Sequence, residues 1–345
     1  MPIDAILHDA DFRASAPHES LRKCPLGFVD VGARGGVHEV VAPLAGVTGV
    51  LGFEPDRTEA ERLRALAGDL PFAGFEVEAC GLAAAEGRAT LHLLSAPTNH
   101  SLRAPNLPFT NRYRMLKFAE VGTESVRTRA LDDVLFDARG AETHWGELIK
   151  LDTQGTELEI LRGAERTLAE RTVAVLTEVA FCEIYAGQAL FSEIELWLRE
   201  RGFSFYGFSA LHYRSRKLLD KRLEAGRERA LWSDAVFFRD PLPGGPPTAR
   251  LSDRQLHVLF CCALLLGYFD FALELAGETW AGAEERARVE RLVRRLAANP
   301  PERALAEVGK LAAQVGASPE DATLHVGRFV DRHRHLSDFD DVPSP

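Results

Sequence analysis

The sequence predicts an α/β protein, a mostly parallel sheet covered by helices, followed by a C-terminal part that is all-helical. Three observations carry this. From Leu26 to about Asp240, short apolar runs alternate with amphipathic stretches, as in a sheet whose strands are joined by helical crossovers. Pro241-Leu-Pro-Gly-Gly-Pro-Pro247 then interrupts the composition. Beyond it, from Leu251 to Leu336, only helical runs follow. The expected organisation is an N-terminal extension (1–25), an α/β domain (26–240), a linker (241–250), a helical domain (251–336) and a disordered tail (337–345).

Each element has its own signal. Strands are expected at Phe28 to Val31, Val47 to Phe53, Phe75 to Ala79, Ala89 to Leu94, Leu148 to Leu151, Val173 to Glu178, Phe203 to Phe208 and Asp234 to Arg239. Between them, Arg57 to Leu66 reads as a helix with an acidic start. Leu158, Leu161, Ala164 and Leu168 form the inner stripe of another, and Ile194, Leu196, Trp197 and Leu198 lie in a third. The stretch from Ser95 to Arg129, with Pro97, Pro105 and Pro108, breaks the rhythm. It reads either as a substrate-facing lid or as an inert surface loop. After the linker, helical runs are expected at Leu256 to Ala276, Glu284 to Ala297, Arg303 to Val315 and Pro319 to Val330.

Composition narrows the function. The 345 residues carry a net charge of −10 with a pI of about 5.6, which opposes a general nucleic-acid binder because phosphate neutralisation needs a basic surface. Cys24, Cys80, Cys182, Cys261 and Cys262 have no C-x-x-C spacing and read as reduced thiols, which favours the cytoplasm. Residues 1 to 26 lack the apolar segment of a secretory signal, and the longest apolar run, Val258 to Leu266, is too short to span a bilayer. His144, His333 and His335 have no metal-ligand spacing, so no metal is expected.

The chemistry concentrates in Phe28-Val-Asp-Val-Gly-Ala-Arg-Gly-Gly36 and in Val50-Leu-Gly-Phe-Glu-Pro-Asp56. Glycines after an apolar strand let the backbone turn tightly and approach a ligand. Glu54, ending the next strand, is placed to accept bonds from both hydroxyls of a ribose. A dinucleotide would need glycine where Arg34 stands, and no GxxxxGK[ST] loop occurs. S-adenosylmethionine has the ribose without the phosphates, and Asp30 suits its cationic sulfonium. Glycine turns are also common after strands in any α/β domain.

A second cluster follows in Glu147-Leu-Ile-Lys-Leu-Asp-Thr-Gln-Gly-Thr-Glu-Leu-Glu-Ile-Leu-Arg-Gly-Ala164. Asp152 falls at the carboxyl end of a strand, the edge where open α/β sheets bind ligands, and Glu157 in a first helical turn. Each also has a structural reading, Asp152 as a cap and Glu157 as a partner of the helix dipole, with Thr156 and Glu159 at capping-box spacing. Arg214 to Arg229, rich in Arg and Lys, reads as a solvated helix face or as a receptor for an acidic glycan or diphosphate-linked carrier.

Together these segments resemble the FkbM family of S-adenosylmethionine-dependent methyltransferases over most of residues 26 to 240. The matching pieces are FVDVGARGG, GFEPD, ACGLAAAEGRATLHL, IKLDTQGTELEILRGA, TEVAFCEIYAGQALFSEIELWLRERGF and LWSDAVFFRD, with Arg34 where asparagine is commoner. The resemblance implies a Rossmann-like class I sheet of seven strands, the last inserted antiparallel, and methyl transfer to a hydroxyl of a saccharide, glycoconjugate or natural product. It implies donor contacts from Asp30, Gly32, Ala33, Gly36 and Glu54, with Cys80, Gly81 and Leu82 bordering the adenine. Candidates for a general base are Asp152, Glu157 and Glu178, with His100 reaching in from the irregular stretch. Tyr185 and Gln188 could hydrogen-bond an acceptor. The C-terminal helices are expected to offer a surface for a homo-oligomer or a protein partner. The competing readings are a non-catalytic module joined by those helices to a glycan-biosynthesis assembly, and a nicotinamide-dependent oxidoreductase.

Overall fold

A computed structural model describes residues 1–139, 144–224, 226–246, 249–298 and 300–333. The tail 337–345, His335 and residues 247 and 248 of the expected linker lie outside these. The strands are β1 (Leu26–Val31), β2 (Thr48–Phe53), β3 (Gly74–Glu78), β4 (Gly81–Leu82), β5 (Gly87–Leu94), β6 (Glu120–Arg129), β7 (Leu148–Leu151), β8 (Ala174–Ala180), β9 (Ser204–Phe208), β10 (His212–Arg214) and β11 (Arg229–Phe238). The main sheet runs β10-β11-β8-β7-β1-β2-β3. Strands β3, β2, β1, β7 and β8 are parallel. Strand β11 lies antiparallel to β8 on one side and to β9 and β10 on the other, so these two short strands share one edge position. Seven positions result, with the last long strand reversed, as the resemblance implies.

Side chains alternate across the strands and divide the core in two. Phe28, Val50, Leu148, Leu176 and Phe238 face one layer; Val29, Leu51, Ile149, Val175 and Phe237 face the other. The second layer is covered by the helices Glu157–Arg162, Glu165–Glu170 and Phe191–Arg199. The first is covered from both chain ends, by Phe12 and Leu21 of the N-terminal helices and by the helices Asp253–Leu266, Phe269–Thr279 and Ala283–Ala297. The C-terminal helices thus complete one face of the sheet. The last two, Pro301–Ala317 and Ala322–His333, contribute no buried residue.

Three expectations are corrected. Ser95 to Arg129 is not irregular throughout: it contains the helix Leu107–Arg112 and the ten-residue strand β6, which pairs with β5 in a separate three-stranded sheet. Its alternation is polar on both faces, which hid the strand. The run Leu256 to Ala276 is two helices, because Gly267 adopts φ +82° and ends the first in a left-handed cap. The stripe Leu158, Leu161, Ala164 and Leu168 is buried, yet its helix breaks at Gly163, where a Cβ would lie 2.2 Å from the Ala83 carbonyl oxygen.

One buried ion pair fastens the chain ends to the sheet. Glu147, ahead of β7, accepts from Gly27 N at 3.0 Å and from Arg254 Nε and Nη2 at 2.8 Å each, while Arg254 also donates to the carbonyls of Ser20, Cys24 and Pro25. Removing one partner of such a pair strands the other. Glu147→Ala is therefore expected to lower stability by about 3 kcal/mol, measured by urea denaturation; a loss below about 0.5 kcal/mol would show the pair to be dispensable.

Candidate active site

Parallel register brings the functional residues into one row. Val31 stands level with Phe53 on one side and with Leu151 on the other, and Leu151 with Thr177. The next residues along, Glu54, Gly32, Asp152 and Glu178, therefore line up across β2, β1, β7 and β8. Glu178 is not the end of its strand, as β8 continues to Ala180. It belongs to the row all the same.

Two cavities open at this edge. The first holds about 770 Å³ of free space counted to its mouth. Gly32, Glu54, Cys80, Gly81 and Leu82 line it, with Phe53, Leu91 and Ile160 as apolar wall. Glu54 is 3% exposed; its Oε1 accepts from Asp56 N at 2.9 Å, and Oε2 has no hydrogen bond among the described residues. Burial raises the Glu54 carboxyl above the ordinary range, against that bond and the Arg34 guanidinium 3.6 Å away. A carboxylate oxygen directed at an apolar slot fits a ribose beside an adenine. The residues present thus suit S-adenosylmethionine.

Gly32 is required by geometry. Its φ is +82°, and a Cβ there would sit 2.0 Å from the carbonyl oxygen of Asp152. The backbones after β1 and β7 touch.

The second cavity shares Thr98, Asp152 and Gln154 with the first and adds Glu178, Tyr185, Gln188 and Trp232. Gln154, held at φ +60°, bridges its acidic groups. Its Nε2 donates to Asp152 Oδ1 at 2.7 Å and lies 3.4 Å from both oxygens of Glu178, while its Oε1 accepts from Tyr185 OH at 2.8 Å. Burial, then the charges of Asp152, Glu157 and Asp234, push the Glu178 carboxyl well above the ordinary range. Burial, then the nearby carboxyls of Glu178, Glu157 and Asp152, raise the Tyr185 phenol. Behind them Lys150 lies 3.3 Å from Asp30 Oδ1 and 3.9 Å from Asp152 Oδ2. Burial would lower its pKa, but the two carboxylates outweigh this and keep the ammonium charged.

Several expected residues are placed differently. Asp30 does not line either cavity; it is 1% exposed, turned inward to Lys150 and to the His38 N–H at 2.8 Å. Ala33 packs beside Gly52 and Val77, and Gly36 lies off the cavity. Glu157 cannot reach a substrate: its carboxylate is enclosed by Thr153 N, Thr153 Oγ1 and Gly155 N at 2.9 to 3.1 Å. Thr156 makes no capping bond, and Glu159 pairs with Arg103 instead. His100 lines the first cavity, but its Nδ1 accepts from Leu94 N at 3.0 Å. Burial and Arg34 lower its pKa, so the neutral ring presents Nε2–H and no lone pair for a base. Gln188 accepts from Ile184 N and Tyr185 N at 2.8 and 2.6 Å and shapes the cavity wall. Reading the sequence missed Gln154 and Lys150; their positions beside Asp152 in IKLDTQG were the available signal. Among the described residues no group of three His, Cys, Asp or Glu gathers as a metal site would require, and no helix is long and apolar enough to cross a membrane.

The row of strand ends and the paired cavities suit a methyltransferase of the S-adenosylmethionine-dependent class. The Methyltransferase FkbM domain matches residues 30–205, and the chain belongs to that family. It is similar to the crystal structure of methyltransferase FkbM from Methylobacillus flagellatus KT, with 20% identity and a TM-score of 0.36 over 62% of this chain. That match spans 43% of the other chain, less than half its length. A second similar structure is magnesium protoporphyrin IX methyltransferase from Synechocystis PCC 6803 with bound SAM, at 10% identity and a TM-score of 0.31, covering 68% of this chain and 88% of that one. No curated protein matches the sequence.

Two outcomes follow. Gly32→Ala is expected to cost more than about 2 kcal/mol in denaturant unfolding, from the left-handed backbone and the clash together; full stability with intact donor binding would contradict the contact. A carboxyl whose folded pKa lies above its unfolded one stabilises the fold fully only below the unfolded value, and that contribution is lost as pH rises through the folded value. Glu178→Gln should therefore leave the thermal midpoint unchanged near about pH 4 and raise it near about pH 8. A midpoint lowered at the higher pH would show Glu178 to be favourably charged.

Proposed function

We propose that this protein transfers a methyl group from S-adenosylmethionine to a hydroxyl of a saccharide, glycoconjugate or related natural product. The observation that carries the reading is the meeting of the two cavities at Asp152 and Gln154. A donor seated by Glu54 would bring to that junction a methyl carbon activated by its bond to a sulfonium. The chain then has three tasks: hold both reactants in line, keep water out, and take one proton.

Alignment supplies much of such a rate enhancement, up to about 7 to 11 kcal/mol in favourable models. Asp152 is the base we assign. Its side chain is 40% exposed, lines both cavities, and is steadied by Gln154. As the oxygen–carbon bond forms and the carbon–sulfur bond breaks, Asp152 takes the hydroxyl proton. Glu178, pushed towards its neutral form by burial and by its acidic neighbours, serves as a hydrogen-bonding group instead. The second cavity mixes polar groups with Trp232, Tyr185 and Phe118, and such aromatic faces beside hydrogen-bonding side chains suit a sugar ring. The five cysteines are free, which supports our placement in the cytoplasm.

Glu54→Ala is expected to weaken S-adenosylhomocysteine about tenfold or more by calorimetry, the value of one charge-assisted bond. Unchanged affinity would remove the clamp. With an acceptor found by screening saccharides for methyl uptake, Asp152→Asn should lower kcat about 10²- to 10⁴-fold at similar donor affinity. A rate within about twofold of the parent would exclude Asp152 as the base.

A further inference from the structure

We propose that the mouth of the acceptor cavity binds a phosphoryl group, so that the saccharide is presented on a phosphate or diphosphate carrier. This rests on the reading of that cavity as the acceptor site. Arg114, Lys117, Arg214 and Lys217 line the cavity that holds Asp152 and Glu178 at its inner end. Among the described residues none of the four has a carboxylate within 4.0 Å. Glu228, which Lys217 influences at longer range, is itself held by Lys221 at 2.8 Å. On a chain of net charge −10, unpaired cations gathered at one opening are not an average surface.

The rim is also built. Arg214 is half-buried and donates from Nε to the Tyr113 carbonyl at 3.3 Å and from Nη2 to the Arg114 carbonyl at 3.1 Å, which fixes its guanidinium. Four non-glycine residues among those described have positive φ: Asp4, Arg114, Gln154 and Lys217. Three of them line this one cavity. Left-handed backbone is unfavourable for L residues and concentrates where a ligand is held. A single carboxylate would need one cation. Four call for a group with two or more charges spread over several oxygens, and the arginine fork matches phosphate. The basic surface continues past Arg214 into a neighbouring cleft lined by Arg112, Arg216 and Arg328. Leu116 at the rim is 83% exposed, and Leu218, which follows Lys217 and lines the neighbouring cleft, 72%; a lipid-borne carrier would cover such side chains and a soluble one would not.

The test uses the full chain and two probes. Inorganic pyrophosphate is titrated by calorimetry, and binding to phosphatidylcholine vesicles with and without phosphatidylglycerol is followed by co-sedimentation. Saturable pyrophosphate uptake points to a soluble carrier and phosphatidylglycerol-dependent sedimentation to a lipid-borne one. Either supports the proposal if it weakens about tenfold or more in Lys117→Ala/Lys217→Ala and in Arg214→Ala. The paired lysine variant removes side chains that hold no hydrogen bond among the described residues, so the fold should be unaffected, as its thermal midpoint would verify. No uptake of either probe, or equal uptake by parent and variants, overturns the proposal. S-adenosylhomocysteine affinity is measured in the same samples and should not change. Its absence would count against the methyltransferase reading, while the anion titration still decides the rim.

Discussion

The site depends on a backbone contact. Where β1 ends, the chain turns through Gly32 so close to the Asp152 carbonyl that no side chain fits between them. That closeness makes the loops after adjacent parallel strands parts of one surface, with Glu54 on the neighbouring strand and Glu178 on the other side. Nothing about the individual carboxylates would matter if they were not held in this row. The sheet's parallel register sets the row, and both helical layers keep the sheet rigid beneath it.

Crowding acidic groups at one sheet edge raises an electrostatic problem, and the structure meets it differently at each residue. Asp30 is turned inward and matched by Lys150. Glu157 is surrounded by backbone and hydroxyl donors. Glu178 is pushed towards its neutral form by burial and by its neighbours. Asp152 alone faces both cavities with solvent access, the Lys150 ammonium 3.9 Å behind it and Gln154 across its oxygen. One carboxylate is thereby singled out by its surroundings rather than by its type.

Much of this was legible in the sequence. The strands carrying the site announce themselves by apolar runs broken by at most one charged residue each, since a strand buried on both faces needs them, and Glu54 and Asp152 follow such runs directly. Cys80, Gly81 and Leu82, which the resemblance set beside the adenine, line the first cavity. What escaped was decided by side-chain direction. Asp30 sits inside a strand whose pleat points it to Lys150, and no spacing rule distinguishes that from the cavity side. Gln154 owes its role to a left-handed backbone that glutamine does not advertise. Strand β6 was hidden because its exposed polar residues lack the alternation that marks a half-buried strand.

The central claim is that a sulfonium nucleoside lies in the first cavity with its pentose on Glu54 and its sulfur towards Asp152. A crystal structure of the protein with S-adenosylhomocysteine measures this directly. The density expected has the ribose hydroxyls within hydrogen-bonding reach of Glu54, the adenine against Leu82, and the sulfur facing the junction of the two cavities. Density placing the nucleoside elsewhere, or a ribose that leaves Glu54 uncontacted, would contradict it.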